Sequence, residues 1–542
     1  MNILDPMLRT FARLSSCALI ASTLICASTG AATAASSDTD SSTPTTGIVK
    51  TDSGPVSGII FHGVQAYLGI PFAAPPVGPL RWMPPQAPAS WQTPLAAEKF
   101  GKTCPQSYEL GVFASPSTTE DCLYLNVFTQ LAAIAHGAKR PVMVWIHGGG
   151  FFDGESDDYD ASKLVRAGTV VVSFNYRLGL FGFFAHPALD KEGHTFANYG
   201  LMDQQYALQW VRLNIAAFGG DPDNVTIFGE SAGGAAVIAN LMSPLSAGLF
   251  HQGISESGGY IIGATGGIKT LDKAEAAGTK FAAALGCTEQ SADCLRRLSV
   301  EQILKIEMAN LQGLVVDGSV LPLPPKQAFQ SGHFNHVPFI NGNNRDEWRW
   351  AVGNTEYEKK GKVLSAADYP AGLAAFYGAD LAPRVQAVYP LSDYSSPSEA
   401  LGAAETDSLM ACPGRKLSHW TASQTPTYAY EFADRTAPAY MVPASFSIGA
   451  GHTLELQYLF PQYHGGQGTP HPLSAAQQKL SDTMVGYWTT FWKARHGKGP
   501  WQQFDAARDN YLSLQLPHPQ IMAAGDFAQE HKCGFWDIVG KY

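Results

Sequence analysis

The chain has 542 residues, 45% of them apolar, enough for a sizeable core, which excludes a peptide, a toxin or a small disulfide knot. Its 36 Lys and Arg against 46 Asp and Glu leave a formal charge of −10 with no basic block, which argues against a sequence-independent nucleic-acid binder, since phosphate contacts need clustered cations. Charged residues make up only 15% while Gly (54) and Pro (35) are plentiful, the composition of a compact, loop-rich fold rather than a disordered one.

Arg9 and Arg13 precede an apolar stretch from Cys17 to about Ala27 and small residues ending in Ala32-Thr33-Ala34, the order of a secretory signal. Residues 1–34 are therefore expected to be a leader cleaved near Ala34, and the Ser/Thr/Asp-rich stretch 35–46 a flexible terminus. Residues 47–542 follow with no linker, repeat or charge run to divide them. The leader's apolar run is too short to span a bilayer and no later segment reaches about 18 apolar residues, so no membrane span is expected. Cleavage leaves Cys104, Cys122, Cys287, Cys294, Cys412 and Cys533, an even set that favours disulfides in an exported chain. Nearest-neighbour pairing would give Cys104–Cys122, Cys287–Cys294 and Cys412–Cys533, although the cysteine pattern alone leaves the connectivity open.

Further along, Val142–Ile146 and Thr169–Phe174 are continuous apolar runs ending in glycine or turn residues, as buried strands of a parallel sheet are. Asp203–Phe218 places Tyr206, Leu208, Val211 and Ile215 at helical spacing. Val225–Phe228 reads as a strand and Ala232–Met242 as a helix; more strands are expected at Val337–Ile340 and Thr427–Phe432. Ser474–His496 is a long helix with Leu480, Met484, Trp488 and Phe491 on one face. This alternation predicts an α/β fold, a mostly parallel sheet with helices on both sides.

Between that strand and that helix lies Gly229-Glu230-Ser231-Ala232-Gly233, a G-x-S-x-G in the strand-turn-helix setting of a nucleophile elbow. A serine hydroxyl is a weak nucleophile and needs a base, an orienting acid and an oxyanion hole. The last of these is expected at Trp145-Ile146-His147-Gly148-Gly149-Gly150, where a strand ends in three glycines whose N–H groups can reach a substrate oxygen. There is no C-x-x-C, H-E-x-x-H or phosphate-cradling G-x-x-x-x-G-K-[ST], so neither a metal nor a cofactor is expected.

These motifs have company. Gly69-Ile-Pro-Phe-Ala-Ala-Pro-Pro-Val-Gly-Pro-Leu-Arg81, Glu120-Asp-Cys-Leu-Tyr-Leu-Asn-Val127, Phe228-Gly-Glu-Ser-Ala-Gly-Gly234, Asn341-Gly-Asn-Asn-Arg-Asp-Glu347 and Gly449-Ala-Gly-His-Thr-Leu-Glu455 occur in that order. From about Gly47 to Val539 the chain thus resembles the type-B carboxylesterases, the family of cholinesterases and bacterial para-nitrobenzyl esterases. The resemblance implies an α/β-hydrolase fold, supports the nearest-neighbour disulfides, and selects the partners of Ser231. Of 15 histidines it picks His452 as the base, over the nearby His464 and His471. It makes Glu347 the acid, with Asp346 the adjacent rival, and the amides of Gly149, Gly150 and Ala232 the oxyanion donors. Glu230 and Ser257 match positions that line or support the family's site.

Two residues depart from the family pattern: Trp348 follows the acid and Thr453 the base, where glycine is frequent. Aromatics at Phe151, Phe152, Trp348 and Phe446 are candidates for the pocket walls or for core packing. The expected activity is hydrolysis of small-molecule carboxylic esters through an acyl-enzyme. A lipase, an amidase, a specialised esterase (phenolic ester, polyester or mycotoxin ester) and a non-catalytic binding member of the family are the alternatives.

Overall fold

A computed structural model describes residues 46–540, except 108–113, 132–138, 195, 264–267, 308–312, 359–360, 441–443, 464 and 466–467. The expected leader 1–34, all but one residue of the 35–46 stretch, and His464 lie outside the described residues.

The apolar runs become strands because helices cover both of their faces. In Arg140–Ile146, Val142, Val144 and Ile146 enter one hydrophobic cluster while Met143 and Trp145 enter the other. In Val170–Phe174, Val170 and Val172 likewise oppose Val171. The main sheet is built, in chain order, from β1 (Ile59–Phe61), β2 (Val64–Pro71), β3 (Tyr124–Thr129), β4 (Arg140–Ile146), β5 (Val170–Phe174), β6 (Gly220–Glu230), β7 (Gln252–Glu256), β8 (Phe339–Asn344), β9 (Thr427–Phe432), β10 (Leu512–Leu514) and β11 (Gln520–Ile521). Its spatial order is β11-β10-β9-β8-β7-β6-β4-β5-β3-β2-β1. From β5 across to β10 neighbouring strands run parallel. The remaining pairs at both edges are antiparallel.

Helix α1 (Tyr199–Asn214) and α2 (Ala232–Met242) pack on one face of the sheet through Leu201, Leu208, Val211, Ala235 and Ile238. Helix α3 (Ala475–Thr490) covers the other through Leu480, Met484 and Trp488, and begins at a Ser474–Gln477 capping box. Both long helices end earlier than predicted, and α1 also begins earlier, at Tyr199 rather than Asp203. Residues 215–218 and 491–496 are 3₁₀ turns, closed by Gly219 and Gly497 in the left-handed conformation.

The strand expected at Val337–Ile340 lies at Phe339–Asn344 instead. Its last four residues, Asn341-Gly-Asn-Asn344, are polar yet buried, so periodicity marks them as loop. They stay in the sheet because their amides find partners: Asn341 Nδ2 donates to Gly414 O (2.8 Å) and Ser418 Oγ (2.9 Å), and Asn344 Nδ2 to Gly451 O (2.8 Å). Disulfides join Cys104–Cys122, Cys287–Cys294 and Cys412–Cys533. Among the described residues no helix is long and apolar enough to cross a membrane.

Register brings the carboxyl ends of the central strands together: Ile146 of β4 pairs with Gly229 of β6, and Glu230 of β6 with Glu256 of β7, itself level with Gly342 of β8. In an open parallel sheet this is the edge where ligands bind.

Candidate active site

Ser231 sits between β6 and α2 with φ 55° and ψ −120°, a strained conformation for a residue with a Cβ. Two main-chain bonds impose it: Ser231 N–H donates to Glu256 O (2.9 Å), and Ser231 O accepts from Ala235 N–H (2.8 Å). The turn is sharp enough that a Cβ at Gly233 would lie 1.9 Å from Ile146 O, so only glycine lets β4 pass beneath it.

Beyond Ile146 the chain runs along the serine, and a Cβ at Gly148 would be 3.2 Å from Ser231 Cβ. Gly149 has φ 94°, and a Cβ there would meet Asp153 O at 2.0 Å. Among the described residues, no main-chain acceptor takes up the N–H groups of Gly149, Gly150 or Ala232. His147 orients this loop: its ring stacks on Tyr176 (4.4 Å), whose hydroxyl donates to His147 O (2.9 Å). Burial pushes the His147 imidazole down to about 4, so it is neutral at pH 7 and its Nδ1–H donates to Gly148 O (2.9 Å).

The loop after β9 delivers His452. Its Nε2 lies 2.9 Å from Ser231 Oγ and its Nδ1 2.5 Å from Glu347 Oε2. Glu347 follows β8, is fully buried, and its Oε1 accepts from Asn344 N–H (2.7 Å). Asp346, one residue earlier, faces elsewhere. It pairs with Arg435 (2.8 Å) and Arg349 (3.0 Å) and accepts from Ala450 N–H (3.0 Å). Burial would raise its carboxyl, but the two guanidinium groups hold it below the usual range. His471 is exposed.

Glu230 Oε1 lies 3.2 Å from His452 Nε2, so the imidazole meets carboxylates at both nitrogens. Burial alone would lower His452, yet Glu230 and Glu347 raise it to about 9. Burial, only partly offset by His452, pushes Glu230 well above the usual carboxylate range. Ser257, just after β7, is buried at φ 54°, its N–H bonded to Gly342 O (2.8 Å).

Two further carboxyls of the site escaped sequence reasoning. Glu455, in the same motif as His452, accepts from Asn344 Nδ2, and burial together with Glu347 raises it to about 7. Glu256 of β7 accepts from Trp488 Nε1 (2.9 Å), and burial raises it well above the usual range. The signal for Glu455 was the motif itself; Glu256 offered none, being the last residue of a short strand, Gln-Gly-Ile-Ser-Glu, with no apolar periodicity to place it.

Trp348 and Trp350 stand 6.3 and 5.8 Å from the His452 ring and cluster with Phe152, Leu409 and Met410. Phe151 instead joins the main core against Phe183 (5.0 Å), and Phe446 is half-buried outside that cluster. As for metals, Glu155, Asp157 and Asp158 bring three carboxylates within 4.8 Å of one another in the loop after the glycines. Desolvation raises all three carboxyls, and their mutual repulsion adds to this at Glu155, which reaches about 7, and at Asp158.

Comparison with known proteins gives the family. The sequence profile of the carboxylesterase family matches residues 45–536. The chain is 33% identical to human cocaine esterase, over 92% of this chain and 91% of that one. It is 37% identical to the para-nitrobenzyl esterase of Bacillus subtilis (82% and 89%) and 34% identical to the fumonisin B1 esterase of Sphingopyxis macrogoltabida (84% of each). A solved thermophilic PNB esterase superposes with a TM-score of 0.74 at 32% identity, covering 90% of this chain and 99% of that one. The chain belongs to the carboxylesterase family and is a carboxylic ester hydrolase of α/β-hydrolase fold.

Proposed function

We propose that the protein is exported and hydrolyses small carboxylic esters through a Ser231 acyl-enzyme. The observation that carries this is the hydrogen-bonded line from Ser231 Oγ through both His452 nitrogens to Glu347. His452 takes the Ser231 proton as Oγ attacks the ester carbonyl, and the N–H groups of Gly149, Gly150 and Ala232 hold the resulting oxyanion, each contributing about 3 kcal/mol in the transition state. His452 then protonates the leaving alcohol, and later activates the water that releases the acid. Glu347 holds the imidazole in the tautomer with its proton on Nδ1 and stabilises the imidazolium.

The Phe152, Trp348 and Trp350 rings favour a confined acyl side and hence short acyl chains. The relatives named for cocaine, para-nitrobenzyl esters and fumonisin B1 differ in the ester that their names give, so the proposal keeps the alcohol moiety broad. Export rests on the leader-like residues 1–34 and the three disulfides.

The test is kcat/KM for p-nitrophenyl acetate, butyrate, octanoate and palmitate, with Ser231→Ala as the blank. A Ser231-dependent preference for short chains is expected. Activity rising toward palmitate would make the protein a lipase, and wild-type turnover in Ser231→Ala would overturn the nucleophile.

A further inference from the structure

With His452 taken as the base, as proposed above, we infer that Thr453 and Tyr440 are positioning residues that lock the main chain of that base. Thr453 has φ 69°, a left-handed conformation that a β-branched residue adopts only when its surroundings impose it. Glycine would enter this region freely. Here a hydroxyl supplies the compensation. Thr453 Oγ1 donates to His452 O at 2.6 Å and is itself hydrogen-bonded to the Tyr440 hydroxyl. The single hydroxyl proton of Thr453 goes to that carbonyl, so Tyr440 is the donor to Oγ1. The chain therefore has one sense, Tyr440 O–H to Thr453 O–H to His452 C=O. Both side chains are buried, and hydrogen bonds of the same sense strengthen one another where water is excluded.

Other ties leave this one to finish the work. His452 N–H donates to Glu347 O (3.1 Å), and Ala450 N–H to Asp346 Oδ2 (3.0 Å), so the segment before the imidazole is anchored on the β8 side. The carbonyl side of His452 is held by Thr453. Tyr440 is braced in turn: its ring meets Tyr463 edge-on at 5.4 Å, Tyr463 stacks on Tyr159 at 5.2 Å, and Tyr159 packs on Trp145 at 4.9 Å. Trp145 belongs to β4, the strand that carries the glycine loop. An aromatic line thus connects the loop of the base to the strand of the oxyanion donors. Releasing the His452 carbonyl lets the imidazole drift from its 2.9 Å contact with Ser231, which costs turnover and leaves substrate binding alone.

The experiment measures kcat and KM on p-nitrophenyl butyrate for Thr453→Ser, Thr453→Val, Tyr440→Phe and the Thr453→Val/Tyr440→Phe double variant, beside Ser231→Ala. Thr453→Val is expected to lower kcat about tenfold or more with KM within about twofold, and Tyr440→Phe to lower kcat less and in the same sense. Thr453→Ser, which keeps the hydroxyl, restores kcat to within about threefold of wild type, and the double variant is no worse than Thr453→Val because Tyr440 acts only through that hydroxyl. Wild-type kcat in Thr453→Val and Tyr440→Phe, losses that multiply in the double variant, or an effect confined to KM would each overturn the proposal. Tyr440→Phe removes one hydroxyl and no packing, and decides the question by itself where Thr453→Val does not fold. Full activity in Ser231→Ala would instead remove the base assignment on which the proposal rests.

Discussion

Glu347 and Asp346 are adjacent acids, and the turn after β8 sends their carboxylates to different partners. Asp346 is held by two arginines and a main-chain amide, Glu347 by His452 and Asn344. Glu347→Gln keeps the shape and removes the charge that stabilises the imidazolium, so kcat is expected to fall by roughly 10²- to 10⁴-fold with the folding transition little changed. Asp346→Asn breaks a buried ion cluster and is expected to lower stability by about 3–5 kcal/mol while active molecules, counted by titration of reactive serine, keep their kcat. Near-normal turnover in Glu347→Gln would remove Glu347 from the role of acid. Glu230 bears on the pH profile. As the proposed base, His452 must be neutral to accept the Ser231 proton, so kcat/KM is expected to rise with pH as the imidazolium deprotonates, an ionisation that the carboxylates raise to about 9. Glu230→Gln removes one of them and is expected to move the rising limb to lower pH by roughly 1–3 units; an unmoved limb would mean that Glu230 is already neutral in the working enzyme. At this scale the sequence was informative wherever chemistry demands one residue type, as at Ser231 and the glycines. It was silent on Glu256 and Tyr440, which meet the site through contacts between separate segments that no local pattern encodes, and on Trp350, whose ring reaches His452 from the helix that follows Glu347.

Among elements, β4 crosses beneath the elbow at very close range. Gly233→Ala places a methyl 1.9 Å from Ile146 O, a backbone atom that cannot rotate away, and is expected to destabilise at or above the upper end of the roughly 1–3 kcal/mol of core overpacking. Soluble yield and Tm check this. A second junction is electrostatic. Buried His531 bridges Asp407 (2.5 Å) and Glu431 of β9 (2.6 Å), with Tyr389 O–H donating to Asp407 (2.7 Å) and Arg345 lying 3.7 Å from Glu431. Burial opposes the charge, but the two carboxylates raise His531 to about 10. A raised imidazole stabilises the fold fully below its ordinary value and loses that contribution as pH climbs through about 10. His531→Gln is therefore expected to lower Tm strongly at pH 7, with the gap to wild type closing above pH 10; a gap independent of pH would make the residue a packing element only. Periodicity located β4, β5, β9 and α2 well because their burial is apolar. It cut β8 short because Asn341, Asn343 and Asn344 are buried by hydrogen bonding, which hydrophobicity does not register.

For the molecule as a whole, the fold class was legible because a parallel sheet covered on both faces leaves continuous apolar runs. The assembly of the site was legible only through the family motifs, since Ser231, Glu347 and His452 are far apart in the chain and meet at one sheet edge. The Cys412–Cys533 bridge closes 121 residues, and Cys412→Ser/Cys533→Ser is expected to cost roughly 5 kcal/mol in the chain-entropy account, read by urea unfolding. The three bridges are consecutive along the chain, and no loop encloses or interleaves with another. Were the chain exported N-terminus first into an oxidising compartment, as proposed, these six cysteines would arrive in the order in which they pair, and oxidation in order of arrival would yield the native set.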